Sequence, residues 1–70
     1  MKKEIFNSSQ IAEVEFNPET KVITVTFKPK GVKYEYDNCT EQEYNDIINA
    51  HSVGHKINEV LKDGRAYRKL

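Results

Sequence analysis

Between Gly31 and Ile48 the sequence GVKYEYDNCTEQEYNDII changes period, and few folds satisfy both halves of it. In Val32-Lys33-Tyr34-Glu35-Tyr36-Asp37 apolar and charged residues alternate, the pattern of a strand with one buried face, which Val32, Tyr34 and Tyr36 share. Thr40 and Glu43 then have the spacing of a capping box. The Thr hydroxyl accepts from a first-turn N–H, and the Glu carboxylate reaches back to the cap's own N–H. A sheet therefore hands over to a helix here, with Cys39 placed to pack on Tyr44 as a hydrophobic staple.

Upstream, Ala12, Val14 and Phe16 alternate with Glu13 and Glu15, which predicts a first strand. Asn17-Pro18-Glu19-Thr20 supplies turn chemistry, since Pro presets φ and Asn can bond its own backbone. Val22 to Lys28 is the strongest strand signal, with Ile23, Val25 and Phe27 facing the core and Val22, Thr24 and Thr26 facing away. Lys28-Pro29-Lys30-Gly31 turns the chain into the third strand, and such short connections imply an antiparallel meander. Residues 1–8 lack any period and read as a loose lead-in to one domain over residues 9–70.

Downstream of the cap, Tyr44, Ile47, Ile48 and His51 form an amphipathic stripe, so His51 is expected at a buried edge and His55 at the surface. Ser52 is placed to cap a second helix carrying Val53, Ile57, Val60 and Leu61 on one side, and Gly64 fits its stop. In the tail, Tyr67 and Leu70 are expected to dock on the core. The expected fold is thus α+β: a three-stranded antiparallel β-meander followed by two helices packed on one face, βββαα.

At 70 residues almost every large apolar side chain is needed for the core, which leaves little to line a deep pocket. One Cys excludes an internal disulfide, and the start shows no apolar run of signal-peptide length, so a cytoplasmic location is expected. No stretch approaches the roughly 18 apolar residues of a membrane span, so no membrane partner is expected. Eleven basic and eleven acidic residues cancel, so no global field draws the chain to polyanions.

The local distribution is more informative. Glu35, Asp37, Glu41, Glu43 and Asp46 form an acidic belt, whereas Arg65, Arg68 and Lys69 make the C-terminal end basic. With Lys56, Lys62 and Tyr67, this basic end is the candidate contact for phosphates of RNA or a ribonucleoprotein. The belt, or an exposed strand edge at Glu13–Phe16 or Lys33–Tyr36, is the alternative, a surface for a host protein bound by a phage or mobile-element protein.

Tyr34 and Tyr36 have the chemistry of a base-stacking platform, but their alternation with charged residues assigns them to the face beneath the helices. Cys39 lacks a base positioned to activate it, and His51 and His55 lack an acidic third ligand at a metal-site interval. The expectation is a non-catalytic module with no cofactor, no metal and no small-molecule substrate.

Tyr34-Glu35-Tyr36, the polar corner, Tyr44 with Ile48, Ser52-Val53-Gly54, Asn58, Val60-Leu61 and the closing Tyr67 and Leu70 together resemble the KTSC domain. Ser8-Ser9-Gln10-Ile11 and Phe16-Asn17-Pro18-Glu19-Thr20 extend the resemblance over most of the chain. That small module occurs at the C-terminus of some lysyl-tRNA synthetases and as a stand-alone protein of bacteria and their phages. The resemblance implies an α+β fold and, through the attachment to a synthetase, an association with RNA.

Overall fold

The structure, a computed structural model, describes residues 1–62 and 64–70. Its elements run β1 (Lys2–Glu4), β2 (Ile11–Asn17), β3 (Val22–Phe27), β4 (Val32–Tyr36), α1 (Glu41–Ile48), α2 (Val53–Leu61) and β5 (Tyr67–Lys69). The strands form one antiparallel sheet in the order β1-β2-β3-β4-β5. The α+β class and the central meander match the sequence reading, but the sheet has five strands rather than three.

Both additional strands lie where the sequence shows no period. The expected loose lead-in contains β1, which pairs with β2 through Lys2↔Glu15, Lys3↔Val14 and Glu4↔Glu13, and beside it Ile5 is buried. The tail contains β5, which pairs with β4 through Tyr34↔Lys69, Glu35↔Arg68 and Tyr36↔Tyr67. Tyr67 and Leu70 stay largely exposed, so strand pairing ties the end down, with the Tyr67 ring leaning on Tyr36. Short segments without intrinsic preference become strands when a formed neighbour offers its unpaired backbone groups.

These additions also move the sheet's edges. The strands expected to expose an edge, β2 and β4, are internal, flanked by β1 and β3 and by β3 and β5. The edges of the described sheet are β1 and β5.

The register confirms the assigned faces of β3: Ile23 and Val25 are fully buried, and Phe27 packs partly against the core. In β2 the pairing slips between Ile11 and Glu13, and this bulge places Ile11 in the core in place of the expected Ala12. The turn at Asn17 forms as expected, with its Oδ1 accepting from the N–H of Glu19 at 2.9 Å.

Helix α1 opens on the full capping box: Thr40 Oγ1 accepts from Glu43 N–H at 3.1 Å, and Glu43 Oε1 accepts from Thr40 N–H at 2.9 Å. Tyr44 and Ile47 face inward, and Tyr44 stacks on Phe16 with ring centroids 5.9 Å apart. Cys39 is buried, its thiol donating to the Tyr36 carbonyl at 3.2 Å. Helix α2 is capped by Ser52 and buries Val53, Ile57 and Leu61. His51 lies outside both helices and is exposed, because α1 ends at Ile48 and its stripe stops a turn early.

Gly54 lets α2 approach the loop before β2, since a Cβ there would stand 3.3 Å from Gln10 Oε1. Gly64, at φ +72°, turns the chain out of α2 toward β5. No helix among the described residues is long and apolar enough to cross a membrane.

Candidate functional site

Directly opposed residues on β4 and β5 share a face of the sheet, so Tyr36 and Tyr67 point to the helix side and Glu35 and Arg68 to the other. Tyr36 is 2 % exposed and belongs to the core, as the sequence pattern assigned it. Tyr34 shares that face and packs against the core. It is half-buried, and with Phe27, Tyr36 and Tyr67 it forms the wall of an open cleft of about 620 Å³ at the sheet's β5 end. Lys62, Gly64 and Arg65, from the segment leaving α2, form the opposite wall.

The aromatic wall is a diagonal track. Phe27 and Tyr34 lie on adjacent strands, offset by two residues in register and so on one face, as do Tyr34 and Tyr67. Phe27 meets Tyr34 edge to face at 84° with centroids 5.6 Å apart, and Tyr34 and Tyr67 lie 6.0 Å apart and tilted by 38°. Tyr67 also leans on Tyr36 at 5.9 Å, yet remains 63 % exposed. Burial and the neighbouring phenols Tyr34 and Tyr67 raise the Tyr36 pKa, so its ring stays neutral at physiological pH.

The acidic belt and the basic end are largely partners of each other. Arg65 donates through Nη1 to the carbonyls of Asp37 at 3.3 Å and Asn38 at 2.6 Å, and through Nη2 to Glu43 Oε2 at 2.5 Å. Burial opposes the Arg65 charge, but the hydrogen bond and charge of Glu43 outweigh it and its pKa is raised. With 18 % of its side chain exposed, Arg65 clamps the β4–α1 corner to the tail, and its Nε is buried without a hydrogen-bond partner. Arg68, on the opposite face of the sheet, reaches Glu35 at 2.7 Å and Asp37 at 3.0 Å.

The remaining candidates fall into three places. Lys56 pairs with Glu59 at 3.0 Å on the surface of α2. Glu41 and Asp46 lie exposed on α1, where Asp46 accepts from Gln42, so the belt is not one surface. Lys62 and Lys69 take no ion pair among the described residues, and both are exposed at the cleft end of the sheet. Phe27 is the site residue that sequence reasoning assigned to the core alone; its place at the end of β3, beside the Lys28 turn, was the signal that helices need not cover it.

The Cys39 thiol is shifted upward by burial, so it is protonated near neutrality and a poor nucleophile. His55 lies beside Glu59 at 3.6 Å, and no group of three metal-ligating side chains exists among the described residues. What the cleft offers chemically is stacking surface with cations at its rim.

A sequence model described as the KTSC domain matches residues 7–67. Comparison with curated proteins gives no match. Among solved structures, the chain is similar to the crystal structure of a KTSC domain protein from Yersinia pestis, with 23 % identity and a TM-score of 0.87. That likeness covers 100 % of this chain and 96 % of the other. At this level of identity it shows a shared fold.

Proposed function

The chain belongs to the KTSC domain family, and from that premise we propose that it is a non-catalytic binding module whose C-terminal cleft holds single-stranded RNA, free or within a ribonucleoprotein. The observation that carries this reading is the tilted pair of Tyr34 and Tyr67 on adjacent strands, with Lys62 lining the cleft and Lys69 opposite Tyr34 on β5. Aromatic rings on a sheet accept unpaired bases of any sequence, and cations beside them accept the phosphates.

Within the basic end the roles divide. Tyr67, Lys62 and Lys69 are the contacts. Arg65, held by Glu43, lines the cleft as part of its wall; Arg68, held by Glu35 and Asp37, lies on the other face of the sheet, and Lys56 stands further back on α2. A protein partner added as a strand has less support. The open edge β5 is three residues long and carries Lys69, features that blunt an edge against pairing.

Titrating a labelled 12-nucleotide single-stranded RNA at two ionic strengths tests the proposal. With two phosphate contacts, a rise from about 50 to 200 mM salt should weaken binding about sevenfold. Three contacts, with Arg65 released to the RNA, would weaken it about eighteenfold. Absence of saturable binding at the lower salt would overturn the reading.

A further inference from the structure

The Lys62 ammonium sits 6.0 Å from the centroid of the Phe27 ring, over its face. Lys62 is the C-cap of α2, where the helix's partial negative charge favours a cation, and its side chain lines the cleft. A free lysine on the surface must lose much of its rotamer freedom to hold one phosphate. Here an aromatic ring already restrains it.

Phe27 is suited to that task and poorly suited to stacking a base. Its ring stands at 84° to Tyr34, so it does not continue the surface that Tyr34 and Tyr67 present, and the ammonium lies over its face. Tyr34 and Tyr67, tilted by only 38°, are the stacking pair. The cleft's volume of about 620 Å³ falls in the range of pockets that enclose a nucleotide-sized ligand.

We infer that the cleft seats one unpaired nucleotide, its base on Tyr34 and Tyr67 and its phosphate on Lys62, with Phe27 as the positioning residue that holds Lys62 in place. This rests on the RNA-binding reading and adds to it a defined phosphate anchor. Phe27 acts through the lysine and does not touch the RNA. The site is selective for single strands, because a base within a duplex is stacked on its neighbours and cannot reach the tyrosines.

The experiment is a double-mutant cycle on the labelled 12-nucleotide RNA, with wild type, Phe27→Leu, Lys62→Ala and the double variant compared at several salt concentrations. Lys62→Ala should reduce the slope of log affinity against log salt by about 0.7, the amount for one phosphate on a single strand. Phe27→Leu should weaken binding by about two- to fivefold with the slope unchanged, since the charge remains while its restraint is lost. The double variant should bind no worse than Lys62→Ala alone. Multiplicative effects of the two substitutions, or an unchanged slope in Lys62→Ala, would overturn the inference.

A second readout on the free protein separates this inference from the function it rests on. The ε-methylene protons of Lys62 should be shifted upfield by the Phe27 ring current, and the shift should vanish in Phe27→Leu. Its absence in the wild type would overturn the positioning role even if RNA binds. Its presence in a protein that binds no RNA would preserve the contact and overturn its use for phosphate.

Discussion

Tyr36→Ala should leave little native protein at room temperature. Tyr36 is the largest of the fully buried side chains, lies in the β4 strand on which β3 and β5 both pair, and packs within the cluster that joins sheet to helices. Truncating a buried aromatic to alanine costs about 3–5 kcal/mol. A domain of 70 residues has roughly 4–10 kcal/mol to lose. Urea denaturation followed by far-UV circular dichroism checks this: the midpoint should fall to near zero denaturant, and a loss below about 1 kcal/mol would mean that the ring is not in the core.

The residue directly opposite, Tyr67, should behave in the reverse way. Tyr67→Ala removes a ring that is 63 % exposed on an edge strand, so the fold should persist with an unchanged circular dichroism spectrum. RNA affinity should fall by about 1–3 kcal/mol, the value of one base stacked on an aromatic, or roughly 5- to 160-fold. Tyr67→Phe should bind nearly as well as wild type, because stacking uses the ring and not the hydroxyl. Full affinity in a folded Tyr67→Ala variant would remove the stacking surface from the account.

One pair of opposed tyrosines thus separates stability from binding, and period-two alternation alone could not do so. Alternation assigns a face to each residue of a strand, and it placed Tyr34 and Tyr36 together correctly. It says nothing about how deeply each residue of that face is buried along the strand. Both rings line the cleft, but Tyr36 is buried in the core whereas Tyr34 only packs against it and stays half-buried.

Local chemistry was readable for the same reason that it is local. The Thr40–Glu43 box, the Ser52 cap and the Asn17 turn each close within a few residues, and all are present. Strands β1 and β5 were not readable, because three residues carry no usable period and their pairing partners lie elsewhere in the chain. The bulge at Ile11 was hidden too, since one extra residue changes the face without changing composition.

The opposed charge blocks had a signal that composition could not interpret. Acidic residues gather between Glu35 and Asp46 and basic ones between Arg65 and Lys69, which reads as two surfaces in sequence. Once β5 returns beside β4, Arg65 meets Glu43, and Arg68 meets Glu35 and Asp37. Much of both candidate surfaces becomes one set of internal ion pairs. The unpaired cations at the cleft are then lysines, since Arg65 lines it but is held by Glu43 and Arg68 lies on the other face of the sheet.

Amide chemical shifts of the isotope-labelled protein, followed while a 12-nucleotide single-stranded RNA is added, give the most direct view of where the ligand sits. Shifts concentrated at Tyr34, Lys62, Gly64, Tyr67 and Lys69, with Glu13, Glu15 and Thr24 on the opposite face unmoved, are the expected result. Shifts centred on that opposite face, or on the exposed side of α1 around Glu41 and Asp46, would contradict the assignment of binding to the aromatic cleft.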